Sequence, residues 1–154
     1  MLYCDILKLN LNAIKDDYIR LLQQLTTAPD IPLQLFINNI HEICQSGKII
    51  VCHIDNKIIA TGTILYETKI IHGGKKVGHI EDIVVDQAYR GKGIASQILK
   101  RLIEEAKQKD CYKVILDCNK DNIKFYENNG FIQKSVQMAY HNNLSESQPL
   151  DHFT

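Results

Sequence analysis

The sequence has no excess of charge of either sign and no long apolar run. Its 154 residues include 18 lysines and arginines and 18 aspartates and glutamates, so the formal net charge is zero. The chain as a whole therefore does not predict binding to nucleic acid or to an anionic membrane, and any phosphate must be met by a local cluster. No stretch approaches the roughly 18 apolar residues of a membrane span. Residues 1–5 lack the basic start of a signal peptide.

Paired cysteines are also missing. The cysteines are odd in number and include no C-x-x-C pair: Cys4, Cys44, Cys52, Cys111 and Cys118. This pattern favours free thiols in a reducing compartment over disulfides or zinc. We therefore expect a cytoplasmic protein without a metal. A hydrophobic content of 45% and a charged content of 23% are ordinary for a globular protein, and the length fits a single domain.

The chain does contain a strand, a glycine turn and a helix in succession. Residues 80–85 are β-branched apart from two carboxylates, which predicts a strand. The helix is indicated by apolar residues four positions apart: Ile94, Ile98, Leu102 and Ala106. Between them, Gly91 and Gly93 let a ligand approach the backbone where the first helical N–H groups have no internal partners. With Arg90 and Lys92 alongside, the turn is predicted to bind an anion, although it is neither a Walker A nor a GxGxxG sequence.

The rest of the sequence predicts a mixed fold in the order β-α-α-β-β-β-α-β-α-β. We expect strands over residues 2–11, 48–54, 57–66, 80–85, 112–118 and 131–140, a short extended arm over 68–71, and helices from Asp16, from Pro32, over 94–108 and over 122–130. The second helix should turn Leu35, Phe36, Ile40 and Ile43 inward. Because the third helix crosses between two strands, it implies a parallel β-α-β unit in an otherwise antiparallel sheet. Residues 1–140 should form one domain, followed by a polar tail over 141–154 without assigned structure.

Several segments resemble a known family. The Arg-x-x-Gly-x-Ala pattern of residues 90–95 resembles the pyrophosphate loop of the GCN5-related N-acetyltransferases, which cradles coenzyme A. Taken together, the segments 69–72, 78–85, 111–118 and 122–127 are similar to the eukaryotic glucosamine 6-phosphate N-acetyltransferases, over roughly residues 15–140. The resemblance implies the GCN5-related fold, usually a homodimer, and a role in UDP-N-acetylglucosamine biosynthesis. The implied reaction is direct transfer of acetyl from acetyl-CoA to the 2-amino group of D-glucosamine 6-phosphate in a ternary complex.

The same resemblance implies which residues bind acetyl-CoA. They are Ile83, Val84, Val85, Arg90, Gly91, Lys92, Gly93, Ile94, Ala95, Ser96, Asn122, Lys124, Phe125 and Tyr126. A backbone N–H near Ile83 would stabilise the charge on the thioester carbonyl. Tyr126 would donate to the departing sulfur. A tyrosine beside Phe125 is more often a packing residue, but its position within the motif favours the catalytic role.

Glu81 and Asp82 are the candidates for handling the substrate amine. Adjacent residues of a regular strand point to opposite faces, and a charge inside a sheet is costly unless the strand is bulged. The simpler interpretation is that one carboxylate is only solvent-exposed. The resemblance implies that both line the amine site, where either could accept the proton. Asp117, at the expected end of the neighbouring strand, is a further candidate for orienting the amine.

The sugar phosphate requires cations. The resemblance favours the following as substrate-lining, besides Glu81 and Asp82: Thr26, Lys69, Ile70, Ile71, His72, Tyr112, Lys113, Asp117 and His141. One departure concerns the end of the expected last strand, where the family commonly has Met-x-x-Arg. The corresponding run here, over residues 138–141, ends in His141, a weaker and pH-dependent cation.

Two other functions remain open from the sequence. One is an acetyltransferase of the same fold that acts on another small amine or on a protein amine. The other is a non-catalytic sensor of acyl-CoA, which should keep the glycine loop and lose the catalytic residues. Glu81, Asp82 and Tyr126 are all present, and this favours an enzyme.

Overall fold

The computed structural model describes residues 1–142. Within them the strands and helices follow the order β1 (Leu2–Asp5), α1 (Leu11–Leu22), α2 (Leu33–Gln45), β2 (Gly47–Ile54), β3 (Lys57–Thr68), β4 (Lys76–Val85), α3 (Ile94–Gln108), β5 (Cys111–Ile115) and α4 (Ile123–Asn128). The chain divides into two compact units, Met1–Leu116 and the part from Asp117 onward. The first unit contains the whole sheet with α1, α2 and α3. A single domain over residues 1–140 stays a prediction, and residues 143–154 of the expected tail lie outside the described part.

The sheet has the order β1-β2-β3-β4-β5. Neighbouring strands are antiparallel from β1 to β4, and β5 is parallel to β4. This confirms the expected mixed sheet with one β-α-β crossover, in which α3 connects β4 to β5. In the described residues β5 lies at the end of the sheet. No helix of residues 1–142 is both long and apolar enough to cross a bilayer.

Short polar segments set several element boundaries. The hairpin between β2 and β3 turns at Asp55 and Asn56, whose positive φ values of 47° and 64° match the expected two-residue turn. The strand predicted over residues 2–11 is too long, because Asp5 accepts a hydrogen bond from the Leu7 N–H and starts a 3-10 turn. Asn10 then accepts a hydrogen bond from the Ala13 N–H at 3.3 Å, so α1 begins before Asp16.

Helices cover both faces of the sheet. Thr61 and Gly62 are adjacent in β3 and therefore point to opposite faces. Thr61 meets Tyr18 of α1, whereas a Cβ on Gly62 would lie 2.6 Å from Ile98 Cγ2 of α3. The core on the α1 side includes residues from α1, α2 and β2, and the inward-facing prediction for α2 is wrong only for Leu35, which is 45% exposed.

The segments after β3 and β5 correct three further predictions. No strand covers residues 69–71, because β3 ends at Thr68 and a 3-10 turn follows over His72–Gly74. The strand expected over 112–118 ends at Ile115. The sequence pattern of residues 131–140 predicts an extended strand. These residues form no strand in the described structure, because they do not pair with another strand there. Conversely, β4 starts at Lys76, before the expected residue 80, because it pairs with both neighbours.

Candidate active site

A β-bulge interrupts β4 at the two candidate carboxylates. Thr63 pairs with Glu81, but Thr61 pairs with Val84, so Asp82 and Ile83 together face the single residue Gly62. Asp82 takes a positive φ of 53°, a conformation that aspartate tolerates better than most residues. A bulge leaves backbone groups outside the ladder and redirects side chains. The bulge is the irregularity that would let both charged residues occur in this strand, and both are exposed.

The bulge places the two carboxylates next to each other in β4, near α1. Glu81 shares a face with its partner Thr63, which is the face that α1 covers farther along β3. Asp82 lies near Tyr18 of α1. Burial chiefly raises the pKa of Tyr18, and the nearby charge of Asp82 raises it further. Both acidic side chains are solvent-exposed.

The carboxylate of Asp82 is a stronger base than that of an ordinary aspartate. Its side chain reaches solvent, but the surrounding atoms desolvate the carboxylate, and this desolvation raises the pKa of Asp82. A carboxylate with a raised pKa is a better proton acceptor near neutral pH. Its position on the bulge makes it suited to receive a proton from an amine in the cleft.

Tyr18 anchors α1 beside the bulge. Its hydroxyl lies 3.0 Å from Thr61 Oγ1, and Thr61 in turn donates to the Ile50 carbonyl at 3.4 Å. Tyr18 and Thr61 are both buried. The sequence analysis did not predict this contact. The signal that could have found it is the hydroxyl itself, because a buried tyrosine usually needs a hydrogen-bond partner.

The glycine turn before α3 has the geometry of an anion cradle. Gly91 and Gly93 have φ values of 76° and 78°, and a Cβ on either would meet nothing within 4 Å. The N-terminus of α3 has no side-chain cap, so its first N–H groups are free to face a ligand. Arg90 donates from Nε to the Val85 carbonyl at 3.0 Å, which fixes the guanidinium beside the turn. These features fit the pyrophosphate of coenzyme A.

The residues around this turn divide into backbone and side-chain contributors. The side chains of Val84, Val85 and Ile94 are buried in the core, so only their backbone can contact a ligand. Two cations lie over the ring of Tyr89, with Lys57 Nζ at 5.9 Å and Lys92 Nζ at 5.4 Å from its centroid. Lys57 was not predicted, because it lies far from the turn in sequence.

Gln24 joins the end of α1 to the segment that leads into the glycine turn. Its Oε1 accepts from the Gln87 N–H at 2.9 Å, and its Nε2 donates to Asp86 at 3.3 Å. Thr26 follows two residues later, and its N–H donates to the Leu22 carbonyl at 3.1 Å. Thr26 is therefore held at the C-terminal end of α1, in the same unit as the bulge.

Four of the predicted phosphate-site residues lie together beyond the bulge. His72 stacks on Tyr112 with ring centroids 4.2 Å apart, and Lys113 Nζ lies 5.6 Å from the Tyr112 centroid. The Tyr112 side chain also lies near Lys69. The hydrophobic neighbours Ile70 and Ile71 are 95% and 60% exposed, so their side chains have little contact with the protein.

Two further residues of this cluster were missed. Lys69 Nζ lies 2.5 Å from one Glu67 oxygen, and His79 Nε2 lies 2.6 Å from the other. Hydrogen bonds from Lys69 and then from His79 lower the pKa of Glu67, and the bond to Glu67 raises the pKa of Lys69. The Glu67–His79 contact results from the pairing of β3 with β4, and no local sequence pattern predicts it.

The remaining predicted site residues belong to the second unit. Tyr126 of α4 packs against Phe125 and Phe131, with centroid distances of 5.0 Å and 5.9 Å. Burial chiefly raises the pKa of Tyr126 to about 12, so the phenol keeps its proton at neutral pH. Asp117 lies beyond the end of β5 and not at the strand end as predicted. The same unit contains Asn122 and Lys124 at the start of α4 and the exposed His141. The roles of these three residues stay predictions.

Comparisons with known proteins agree with this geometry. The sequence model of the Acetyltransferase (GNAT) family matches residues 11–131. The chain belongs to the acetyltransferase (GNAT) family. The GNAT chain is 40% identical over 129 residues to Probable glucosamine 6-phosphate N-acetyltransferase 2 of Oryza sativa subsp. japonica, covering 79% of this chain and 78% of the relative. It is also 40% identical over 136 residues to Glucosamine 6-phosphate N-acetyltransferase 1 of Dictyostelium discoideum, covering 85% and 86% of the two chains.

A solved structure extends the similarity to the fold of this GNAT protein. The crystal structure of glucosamine-6-phosphate N-acetyltransferase from Arabidopsis thaliana matches with a TM-score of 0.83 and 34% identity, over 91% of this chain and 97% of that one. The fold class and the family expected from the sequence are thereby confirmed.

Proposed function

We propose that this GNAT enzyme transfers acetyl from acetyl-CoA to the 2-amino group of D-glucosamine 6-phosphate, giving N-acetyl-D-glucosamine 6-phosphate and CoA. The observation that carries the proposal is the presence, in one compact unit, of a bulged carboxylate pair and a cationic cluster at the far end of the same strands. An amino sugar phosphate carries the matching groups, an amine and a phosphate. Relatives at 40% identity bear the name of this activity.

The carboxylates of the bulge handle the amine. An ammonium must lose a proton before its nitrogen can attack a thioester, and a carboxylate can accept that proton directly or through water. The raised pKa of Asp82 supports this residue as the proton acceptor, with Glu81 orienting the amine beside it. The attack forms the amide bond as the bond from the acetyl carbon to sulfur breaks.

Two groups stabilise the charge that develops during the attack. The bulge turns a backbone N–H near Ile83 out of the ladder, where it donates to the thioester oxygen. Tyr126 donates its phenolic proton towards the departing sulfur. Its pKa of about 12 supports this role, because the hydroxyl is fully protonated at neutral pH.

The cations divide between the two phosphorylated substrates. The glycine turn, the N-terminus of α3, Arg90 and Lys92 hold the pyrophosphate of coenzyme A. Lys69, His72 and Lys113 receive the 6-phosphate of the sugar, because charge-assisted hydrogen bonds to phosphate are among the strong ones. A chain without net charge thus offers a local cationic cluster for each phosphorylated substrate.

The proposal includes a cytoplasmic homodimer that serves the synthesis of UDP-N-acetylglucosamine. The apolar side chains of residues 131–140 support a second copy as partner. Ile132, Val136, Met138 and Tyr140 are 71%, 84%, 87% and 91% exposed. These four residues are separated by two or four positions, so their side chains would lie on one face of an extended segment. Light scattering on the purified protein tests the dimer, and a monomer at micromolar concentration contradicts it.

The proposed reaction is tested by incubating the purified protein with acetyl-CoA and glucosamine 6-phosphate. We expect thiol release together with a product in which one hydrogen of the sugar phosphate is replaced by an acetyl group, as measured by mass spectrometry. A lysine peptide and an N-terminal peptide serve as competing acceptors. Acetylation of a peptide without acetylation of the sugar phosphate would assign the enzyme to another class of acceptor.

A further inference from the structure

Glu67 forms a bridge between a loop lysine and a strand histidine. One carboxylate oxygen meets Lys69 Nζ at 2.5 Å, and the other meets His79 Nε2 at 2.6 Å. The side chains are 44%, 31% and 32% exposed for Glu67, Lys69 and His79. The bridge is therefore partly exposed to solvent, where a ligand can reach it.

The bridge shares its face with the proposed amine site. Leu65 pairs with His79 and Thr63 pairs with Glu81, so Glu67, His79 and Glu81 all lie on the same face of β3 and β4. Successive side chains on one face of a strand are about 7 Å apart. A sugar whose amine lies at Glu81 can therefore reach along β4 towards His79 and Lys69 with its other end.

We propose that Glu67 is a positioning residue that holds Lys69 ready for the 6-phosphate of the substrate, an inference that rests on the proposed function. Lys69 follows the last residue of β3 and is outside any strand. A lysine in a loop has many rotamers, and their loss opposes substrate binding unless the side chain is already ordered. The bond to Glu67 supplies that order.

The bridge leaves Lys69 able to bind phosphate. An ammonium group has three N–H donors, and Glu67 takes one of them. The raised pKa of Lys69 keeps the group charged. His79, on the strand, holds the other oxygen of Glu67, so the carboxylate is oriented from both sides. The competing view is that the negative charge of Glu67 merely repels the phosphate, and it makes the opposite prediction for removal of Glu67.

Steady-state kinetics of single and double variants separate these views. We expect Glu67→Ala to raise KM for glucosamine 6-phosphate about tenfold with kcat within about twofold, and to leave KM for unphosphorylated glucosamine unchanged. Lys69→Ala should raise KM for the sugar phosphate as much or more. In the Lys69→Ala background, Glu67→Ala should have no further effect on KM, because Glu67 acts through Lys69. Glu67→Gln keeps an oxygen acceptor and should restore part of the loss.

Lys75→Ala is the matched control, because it removes the exposed Lys75–Asp110 ion pair of 3.5 Å on the following loop. This variant should keep the wild-type KM. An unchanged or lower KM in Glu67→Ala overturns the inference alone, as does an additive loss in the double variant or an unchanged KM in Lys69→Ala. Wild-type protein that does not acetylate glucosamine 6-phosphate overturns the proposed function, and this inference with it.

Discussion

The hydroxyl of Tyr18 lies 3.0 Å from Oγ1 of Thr61, in a buried contact between α1 and β3. Thr61 pairs with Val84, the first residue after the bulge, so the contact ties α1 to the bulged strand. We expect Tyr18→Phe to lower the free energy of unfolding by about 1–2 kcal/mol, because Thr61 loses a buried partner. Urea denaturation measures the change. Tyr140→Phe, at a side chain that is 91% exposed, should leave stability unchanged. Equal effects of the two substitutions would contradict the anchoring role.

Asp82 should make stability depend on pH. Its pKa is raised in the folded protein above the ordinary value of 3.8, so the folded state binds more protons than the unfolded state just above that pH. Stability therefore decreases as pH rises through this window. Asp82→Asn removes the decrease, and asparagine also tolerates the positive φ. We expect the variant to melt above the wild type at about pH 7, and to match it at about pH 3.

The same substitution should affect catalysis in the opposite direction. An amide cannot accept the proton of the substrate amine, so Asp82→Asn should lower kcat about 10²-fold or more. The pair of measurements distinguishes the proposed base from a structural residue, because the variant gains stability as it loses turnover. If Asp82→Asn kept the wild-type kcat, Asp82 would not be the base, and Glu81 would be the remaining candidate.

Gly93 should be required for binding of acetyl-CoA. Gly93→Asp adds a carboxylate to the cradle, and we expect the dissociation constant for acetyl-CoA to rise at least tenfold, or about 1.4 kcal/mol. Gly93→Asn has nearly the same size and the same φ of 78° to adopt, but it adds no charge. Calorimetry on the folded variants separates repulsion from backbone strain. An unchanged affinity in Gly93→Asp would place the pyrophosphate away from this turn.

Tyr126 should matter for turnover more than for stability. Tyr126→Phe removes one hydroxyl and keeps the ring contacts with Phe125 and Phe131. We expect kcat to fall about 10²-fold with little change in unfolding free energy. Because the pKa is about 12, the wild type should show no loss of kcat from ionisation of this phenol near neutral pH. Full turnover in the variant, under conditions where chemistry limits the rate, would reduce Tyr126 to a packing residue.

The sequence predicted those elements whose conformation depends on neighbouring residues in the chain. The turn before α3 could be identified because glycine favours the positive φ seen at Gly91 and Gly93, and α3 because its apolar residues recur at the helical period. The start of α1 was missed because Asn10 and Asp16 are both plausible caps, and only the structure shows that Asn10 bonds to Ala13.

Features that depend on pairing between distant segments could not be predicted in the same way. The two adjacent carboxylates suggested either a bulge in β4 or an exposed carboxylate, and the pairing with β3 shows that the bulge is there. The Glu67–His79 contact likewise follows from the register of the two strands. The alternating residues of 131–140 fit a strand pattern. A strand also needs a second strand to pair with, and the sequence pattern does not identify that partner.

Discrimination between glucosamine 6-phosphate and glucosamine tests the central proposal most directly. The decisive quantity is kcat/KM for each sugar at saturating acetyl-CoA. Charge-assisted hydrogen bonds to a phosphate contribute roughly 1.5–3 kcal/mol each, so the loss of two or more should lower kcat/KM for glucosamine at least 10²-fold, to a first approximation. We predict a ratio of about 10² or more in favour of the phosphorylated sugar. Equal values of kcat/KM for the two sugars would contradict the proposed substrate and the role of the cationic cluster.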